Sequence, residues 1–395
     1  MSTNTDTPDF FKTQRLYVLW SGIFGLTLLM GIARFAYTPM LVLIQEQSNL
    51  SDSMGAILAS INYVGYLSGA LIAASISNMQ LKDTLYRTAI IVGIISTAMM
   101  AATDNVWVWG VSRYFAGLSS AGGLLISSGL VMNWLIRHQF KSELGIYLAG
   151  VGTGIAFTSI IVELLQKSFT SYELWWLLTG LGVICAIPAW RWLPRPKNAG
   201  QTIAGNELKD NPPSTIFLRV FMAAYFLAGA GYVVSATFIV AIVEQLQPNA
   251  GNWAFIVLGL GAMPAPIIWD KVASITSDFK ALLMTYILQV ISIAIPLFAY
   301  DLTSLLVSSV MFGFSFVGAV SLVLSIAGRY YPSRPAKMMG KMTLSYGVAQ
   351  ILAPAIIAAM AVGNTGYQQG LWLALIAMLI GTGLIIILMK LEKSE

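Results

Sequence analysis

Twelve apolar runs follow one another along this chain, at about residues 16–44, 53–77, 87–103, 106–135, 143–166, 173–193, 215–243, 252–270, 281–299, 303–328, 342–362 and 371–389. Each has about the length, roughly 17 residues or more, that a helix needs to cross a bilayer core. In hydrocarbon the backbone must satisfy its own polar groups, which leaves helices or a closed barrel. Barrel strands would read as alternating segments of about ten residues, and these runs do not alternate. The expected fold class is therefore an all-α integral membrane protein with twelve transmembrane helices. Composition agrees: 57% of the residues are hydrophobic and only 10% charged, against about 25% charged in soluble domains.

The basic residues test the number twelve independently. If the spans alternate direction, nineteen lysines and arginines fall in segments on the side of the N-terminus, from Lys12 and Arg15 through Arg137 and Arg195 to Lys390 and Lys393. Only Lys167 falls on the other side, and Arg34 and Arg113 lie inside spans. That asymmetry satisfies the positive-inside rule and assigns both termini to the cytoplasm. It also gives the net charge of +5 a membrane explanation, so nucleic acid is not an expected partner.

Residues 194–214, PRPKNAGQTIAGNELKDNPPS, are polar and rich in Pro, Gly and Asn, the composition of a flexible linker. They divide the chain into a first six-span unit at 1–193 and a second at 215–395. The halves resemble each other. Shifted by 198 residues, Gly31, Ile44, Glu46 and Gln47 fall on Gly229, Ile242, Glu244 and Gln245. Shifted by 197, Gly150 and Val151 fall on Gly347 and Val348. Parallel halves imply a two-fold axis along the membrane normal, with a solute site between them near mid-membrane.

Several stretches carry a resemblance. They are Gly31-Ile-Ala-Arg-Phe-Ala-Tyr-Thr-Pro39 in span one, Gly229-Ala-Gly-Tyr-Val-Val-Ser-Ala-Thr-Phe238 in span seven and Gly347-Val-Ala-Gln-Ile-Leu-Ala-Pro354 in span eleven. Together with the six-plus-six layout, the chain resembles the major facilitator superfamily, and within it the YbfB/YjiJ-like branch of bacterial transporters. Arg113-Tyr-Phe-Ala-Gly117 with Ala121-Gly122 is similar to the superfamily's span-four arginine motif. The resemblance implies two pseudo-symmetric six-helix bundles, secondary transport in the bacterial inner membrane, and an Arg113 that shares the cavity half of Arg34 and takes part in proton coupling. The basic, glycine-bearing motif that the superfamily carries after span two is reduced here to Asn78-Met-Gln-Leu-Lys-Asp83, a departure at the place where the superfamily locks its inward side.

Arg34 is the sharpest candidate. It lies about ten residues, hence ~15 Å, from the outer end of span one. A mid-span arginine is costly and usually faces a wet cavity or the bundle interior; the bland alternative is an anchor to neighbouring carbonyls. Arg113 lies ~10 Å deep in span four and reads equally as a cavity residue or as one that snorkels outward. No carboxylate lies deep in any span, and Glu163, one turn from the outer end of span five, reads as a proton site or as an ordinary interfacial acid. Two arginines without carboxylates favour a solute with an anionic group, which a guanidinium grips bidentately. Tyr232 falls on Arg34 under the 198-residue shift and would face it across the cavity. Tyr37, Asn62, Tyr66, Ser235, Gln289 and Gln350 complete the set of polar side chains in apolar spans; singly, each is commonly helix-to-helix glue.

Pro264, Pro266 and Pro354 should kink their helices. The lone Cys185 forms no intrachain disulfide, and the single histidine, His138, sits in a basic loop, so neither a metal nor any other cofactor is expected. No phosphate-binding loop is present in the sequence, so an ion gradient, with protons as the coupling ion, is the expected energy source for a monomeric carrier of a small solute. A broad exporter of amphipathic compounds and a non-transporting sensor or scaffold on the same fold are the competing readings. Reporter tags at either terminus and in the 194–214 linker should all report a cytoplasmic location; a periplasmic signal from the linker would break the twelve-span map.

Overall fold

The computed structural model describes residues 8–48, 50–141, 144–196, 208–247, 250–360 and 366–392. Among them every regular element is a helix. Eleven helices are long and apolar enough to cross a membrane. These are α1 (Thr13–Gln47), α2 (Asp52–Ser75), α3 (Met79–Ala102), α4 (Val106–Arg137), α5 (Gly145–Leu165) and α6 (Ser171–Arg191), then α7 (Thr215–Leu246), α8 (Gly251–Ile275), α9 (Asp278–Phe298), α10 (Leu302–Tyr330) and α12 (Gly366–Glu392). Between the last two lies α11 (Pro335–Met360), a further helix of 26 residues. Side-chain caps start several of them: Ser51, Asn105, Ser277 and Asp301 each accept from an N–H in the first turn, and Thr170 with Glu173 closes a reciprocal box at α6.

The structure places several helix starts earlier than hydropathy does, by most at two points. Helix α3 begins at Met79 rather than near 87, because the Asn78 side chain caps Gln80 and Leu81 N–H. Helix α11 begins at Pro335, a residue suited to the first turn. Helix α8 is interrupted at Met263–Pro264 and resumes over Ala265–Ile275, at the prolines that promised a kink. The backbone of α11 stays helical through position 354, but the Pro354 side chain lies outside the described residues, as do linker residues 197–207.

The two halves repeat each other contact for contact at an offset of 196. A Cβ built on Gly117 would lie 2.0 Å from the Asn62 carbonyl oxygen, and one on Gly313 would lie 2.0 Å from that of Leu258. A Cβ on Gly65 would lie 2.0 Å from Tyr114 O, and one on Gly261 2.4 Å from Val310 O. The Ser112 hydroxyl donates to Ser96 O at 2.6 Å, and Ser308 donates to Ser292 O at 2.7 Å. Helices α2 and α4 therefore cross at backbone contact, as do α8 and α10, and only a residue without a side chain fits at each crossing. In lipid, where no hydrophobic drive separates helix from solvent, such close packing is what holds helices together.

Contacts between the halves are densest along two seams, α5 against α8 and α2 against α11. Where the superfamily's motif is reduced, the contacts stay within one half: the Asp83 carboxylate pairs with Arg87 at 3.0 Å, and Arg87 also donates to Trp190 O and Leu193 O at the end of α6. Substituting valine at Gly117 or at Gly313 should be equally damaging, since both Cβ atoms would strike a carbonyl. Overpacking of this kind costs about 1–3 kcal/mol or more, and heat-induced aggregation in detergent should begin several degrees lower for each. Gly180→Ala, with nothing within 4 Å of the added carbon, should leave it unchanged.

Candidate functional site

The site begins with a defect in α1. From Thr27 to Phe35 the helix is wound more widely than an α-helix, and the Ala36 N–H reaches back five residues to Gly31 O at 2.8 Å. Such π-turns re-aim the side chains that follow and recur at functional sites. Two local features suit the register change. Gly31 lets α1 touch α5, where its added Cβ would lie 2.5 Å from Gly154 Cα. Pro39 brings no N–H to the carbonyls before it.

Arg113 completes what the wide turns leave open. Its guanidinium donates to Ala33 O at 3.0 Å and to Arg34 O at 3.1 Å, and lies over the Tyr37 ring at 4.4 Å. The Arg113 carbonyl accepts from Asn62 Nδ2 at 2.9 Å, and the Tyr37 hydroxyl donates to Gly55 O at 3.1 Å. Arg113, Tyr37 and Asn62 thus form one buried cluster that ties α1, α2 and α4 together, and none of the three lines the central cavity.

Arg34 does line it. The cavity lies between the halves and is bounded by Arg34, Tyr66, Tyr232 and Gln350, with Phe35, Phe316 and Tyr346 among its aromatic walls. Arg34 is 4% exposed, and its guanidinium lies 4.0 Å from the Tyr66 ring centroid and 5.4 Å from those of Phe35 and Tyr63. Among the described residues no carboxylate forms an ion pair with Arg34 or Arg113. Tyr232, from the matching turn of α7, sits against Phe316 at 4.9 Å and Tyr346 at 5.6 Å.

The remaining candidates lie elsewhere. Ser235 lines a second, smaller space in the second half, with Ser292, Ser308 and Phe312. Gln289 is buried near it, and neither end of its amide has a partner. Glu163 sits at the end of the bundle opposite the termini, where it accepts from Gln166 at 2.7 Å and, across the α5–α8 seam, from Asn252 at 3.1 Å. At the other end of the same seam Asp270 accepts from Gly145 N–H at 2.6 Å. Sequence reasoning passed over Tyr225, Phe316 and Tyr346, all cavity-lining. Their spacing held a signal: Tyr225 and Tyr232 are seven apart, Tyr346 and Gln350 four apart, so each pair shares a helix face.

Known proteins resemble this arrangement. A family model described as the uncharacterised MFS-type transporter YbfB matches residues 26–386. An uncharacterised MFS-type transporter, YceJ of Bacillus subtilis, is 25% identical over 285 residues, covering 70% of this chain and 72% of that protein. A gentisate transporter of Corynebacterium glutamicum is 20% identical over 384 residues, covering 92% and 85%. Among solved structures, the nucleoside transporter NupG superposes with a TM-score of 0.65 at 12% identity, over 95% of this chain and 99% of that one.

The two arginines should separate on mutation. Arg113→Ala strands two buried carbonyls, each costing about 1–3 kcal/mol, and should lower the melting temperature in detergent markedly. Arg34→Ala removes no carbonyl partner and should melt within a few degrees of the parent. Equal melting of the two variants would remove Arg113 from its structural role.

Proposed function

The chain belongs to the YbfB-type family of major facilitator transporters, and from that premise we propose that this multi-pass membrane transporter carries a small organic anion by alternating access. The observation that supports the solute class is the Arg34 guanidinium, buried at the central cavity without an acidic partner. An isolated charge in that position is costly, and an anionic group on the solute offsets the cost. The Corynebacterium relative is named for gentisate, an aromatic carboxylate, which is consistent with an anionic cargo.

The places where the halves touch support alternating access. In this conformer the α5–α8 seam is bonded at both ends, through Glu163 with Asn252 and Asp270 with Gly145, so entry to the cavity from either side requires one end to part. Rocking of two repeats about a fixed site accomplishes this. Placed in a bacterial inner membrane with both termini cytoplasmic, the Glu163 end faces outward. Arg113 is always protonated and committed to carbonyls, which leaves Glu163 as the group suited to exchange the coupling proton. The carrier acts as a monomer, since one chain supplies the whole cavity.

Proteoliposomes give the test. Arg34→Lys keeps charge but loses the planar fork, and should reduce anion flux about tenfold or more, with Arg34→Ala lower still. Unchanged flux in both, from normally folded protein, would remove Arg34 from binding. Glu163→Gln should retain solute counterflow while losing stimulation by an imposed pH step; a full pH response in that variant would move the proton site elsewhere.

A further inference from the structure

Gln350 lines the cavity, is 2% exposed, and its carboxamide oxygen has no hydrogen-bond partner among the described residues. A buried acceptor left unpaired is an expense that native structures rarely carry without a reason. Gln350 belongs to the second half, on α11, whereas Arg34 belongs to the first. Between them stands an aromatic wall. Six of the fourteen lining residues are Phe or Tyr, and the others besides Arg34 and Gln350 are aliphatic. Tyr225 and Tyr346 have ring centroids 4.6 Å apart, and Tyr232 lies 4.9 Å from Phe316, the spacings of rings in face or offset contact.

The recognising groups come from both halves. The first half offers a cation, with the rings of Phe35 and Tyr66 beside it. The second offers the rings of Tyr225, Tyr232, Phe316 and Tyr346 and one orphan acceptor. A solute that satisfies all three must have a negative end, a flat apolar body and a donor placed away from the charge. One cation without a second beside it suits a single anionic group.

We infer that the cavity selects a planar aromatic monocarboxylate bearing a hydroxyl or amino donor on its ring, with the carboxylate on Arg34, the ring among Tyr232, Phe316 and Tyr346, and the donor on Gln350 Oε1. This rests on the organic-anion reading above and adds Gln350 as the residue that sets specificity. Because the partners sit on opposite halves, such a solute spans the two and enters only as they part. A site built to bond a substrate hydroxyl discriminates strongly against the analogue that lacks it.

The experiment is calorimetric titration of the purified full chain with 4-hydroxybenzoate, benzoate and cyclohexanecarboxylate. We expect 4-hydroxybenzoate to bind at least about tenfold tighter than benzoate, and cyclohexanecarboxylate to bind weakest. In Gln350→Leu the ratio of 4-hydroxybenzoate to benzoate affinity should collapse to about threefold or less, and in Tyr232→Leu the ratio of benzoate to cyclohexanecarboxylate should fall. Should Gln350→Leu fail to give monodisperse protein, the ratios in the parent decide alone. Equal binding of benzoate and 4-hydroxybenzoate overturns the role of Gln350, and equal binding of benzoate and cyclohexanecarboxylate overturns the aromatic preference. Both results leave the organic-anion reading standing if Arg34→Ala abolishes binding. Binding indifferent to Arg34→Ala, or absent for all three probes, overturns that reading and this one with it.

Discussion

The guanidinium of Arg113 and the two carbonyls it holds decide the shape of the centre of this protein. A helix in a bilayer cannot leave backbone oxygens to water, so wide turns in α1 need a donor from elsewhere. Arg113 supplies it from α4, with contacts to Ala33 O and Arg34 O. The bonded carbonyl of Arg34 belongs to the residue whose side chain lines the cavity. One arginine therefore fixes the backbone from which the other reaches. Asn62 holds the Arg113 carbonyl in turn, so the brace runs through α1, α4 and α2 before it meets lipid-facing surface.

The internal repeat shows where the two halves share physics and where they diverge. Crossings made by Gly65 and Gly117 recur at Gly261 and Gly313, and the paired serine bonds recur with them. Packing is thus copied. Chemistry is not: at the same offset Asn62 corresponds to Leu258 and Arg113 to Ser309, so the second half has neither the brace nor the charge. At the first helix of each half, Arg34 is answered by Tyr232. The cavity is consequently aromatic on both sides but cationic on one alone, an asymmetry that a symmetric protein could not offer.

Much of this was legible in the sequence, and for identifiable reasons. Bilayer thickness bounds helix length, so the twelve helices could be read, with errors at their ends, as at the Asn78 cap and at Pro335. Arg34, Tyr66, Tyr232 and Gln350 stood out as polar groups in apolar runs, and the structure gathers them at one cavity. Tyr37, Asn62 and Arg113 carried the same signal yet turn to one another and to backbone. The sequence could not tell these sets apart, because which face of α1 points inward depends on wide turns with no residue signature of their own. Tyr225, Phe316 and Tyr346 escaped notice for a different reason: an aromatic ring in an apolar span looks alike whether it faces lipid, core or cavity.

At the cytoplasm-facing end proposed above, the seam joins close packing to a buried charge. Lys82 on α3 is fully buried, its Nζ has no hydrogen-bond partner among the described residues, and it feels the like charges of Lys337 and Arg334, which belong to the start of α11 and the turn before it. The acid next to it, Asp83, is already engaged by Arg87, and Asp210 is engaged by Arg334. Contact between the halves at this end is therefore opposed by a buried cation and favoured by close α2–α11 packing, where a Cβ on Gly340 would lie 2.7 Å from Ala74 N. The two oppose each other at one place, so surface fit holds this seam against the cost of the buried charge.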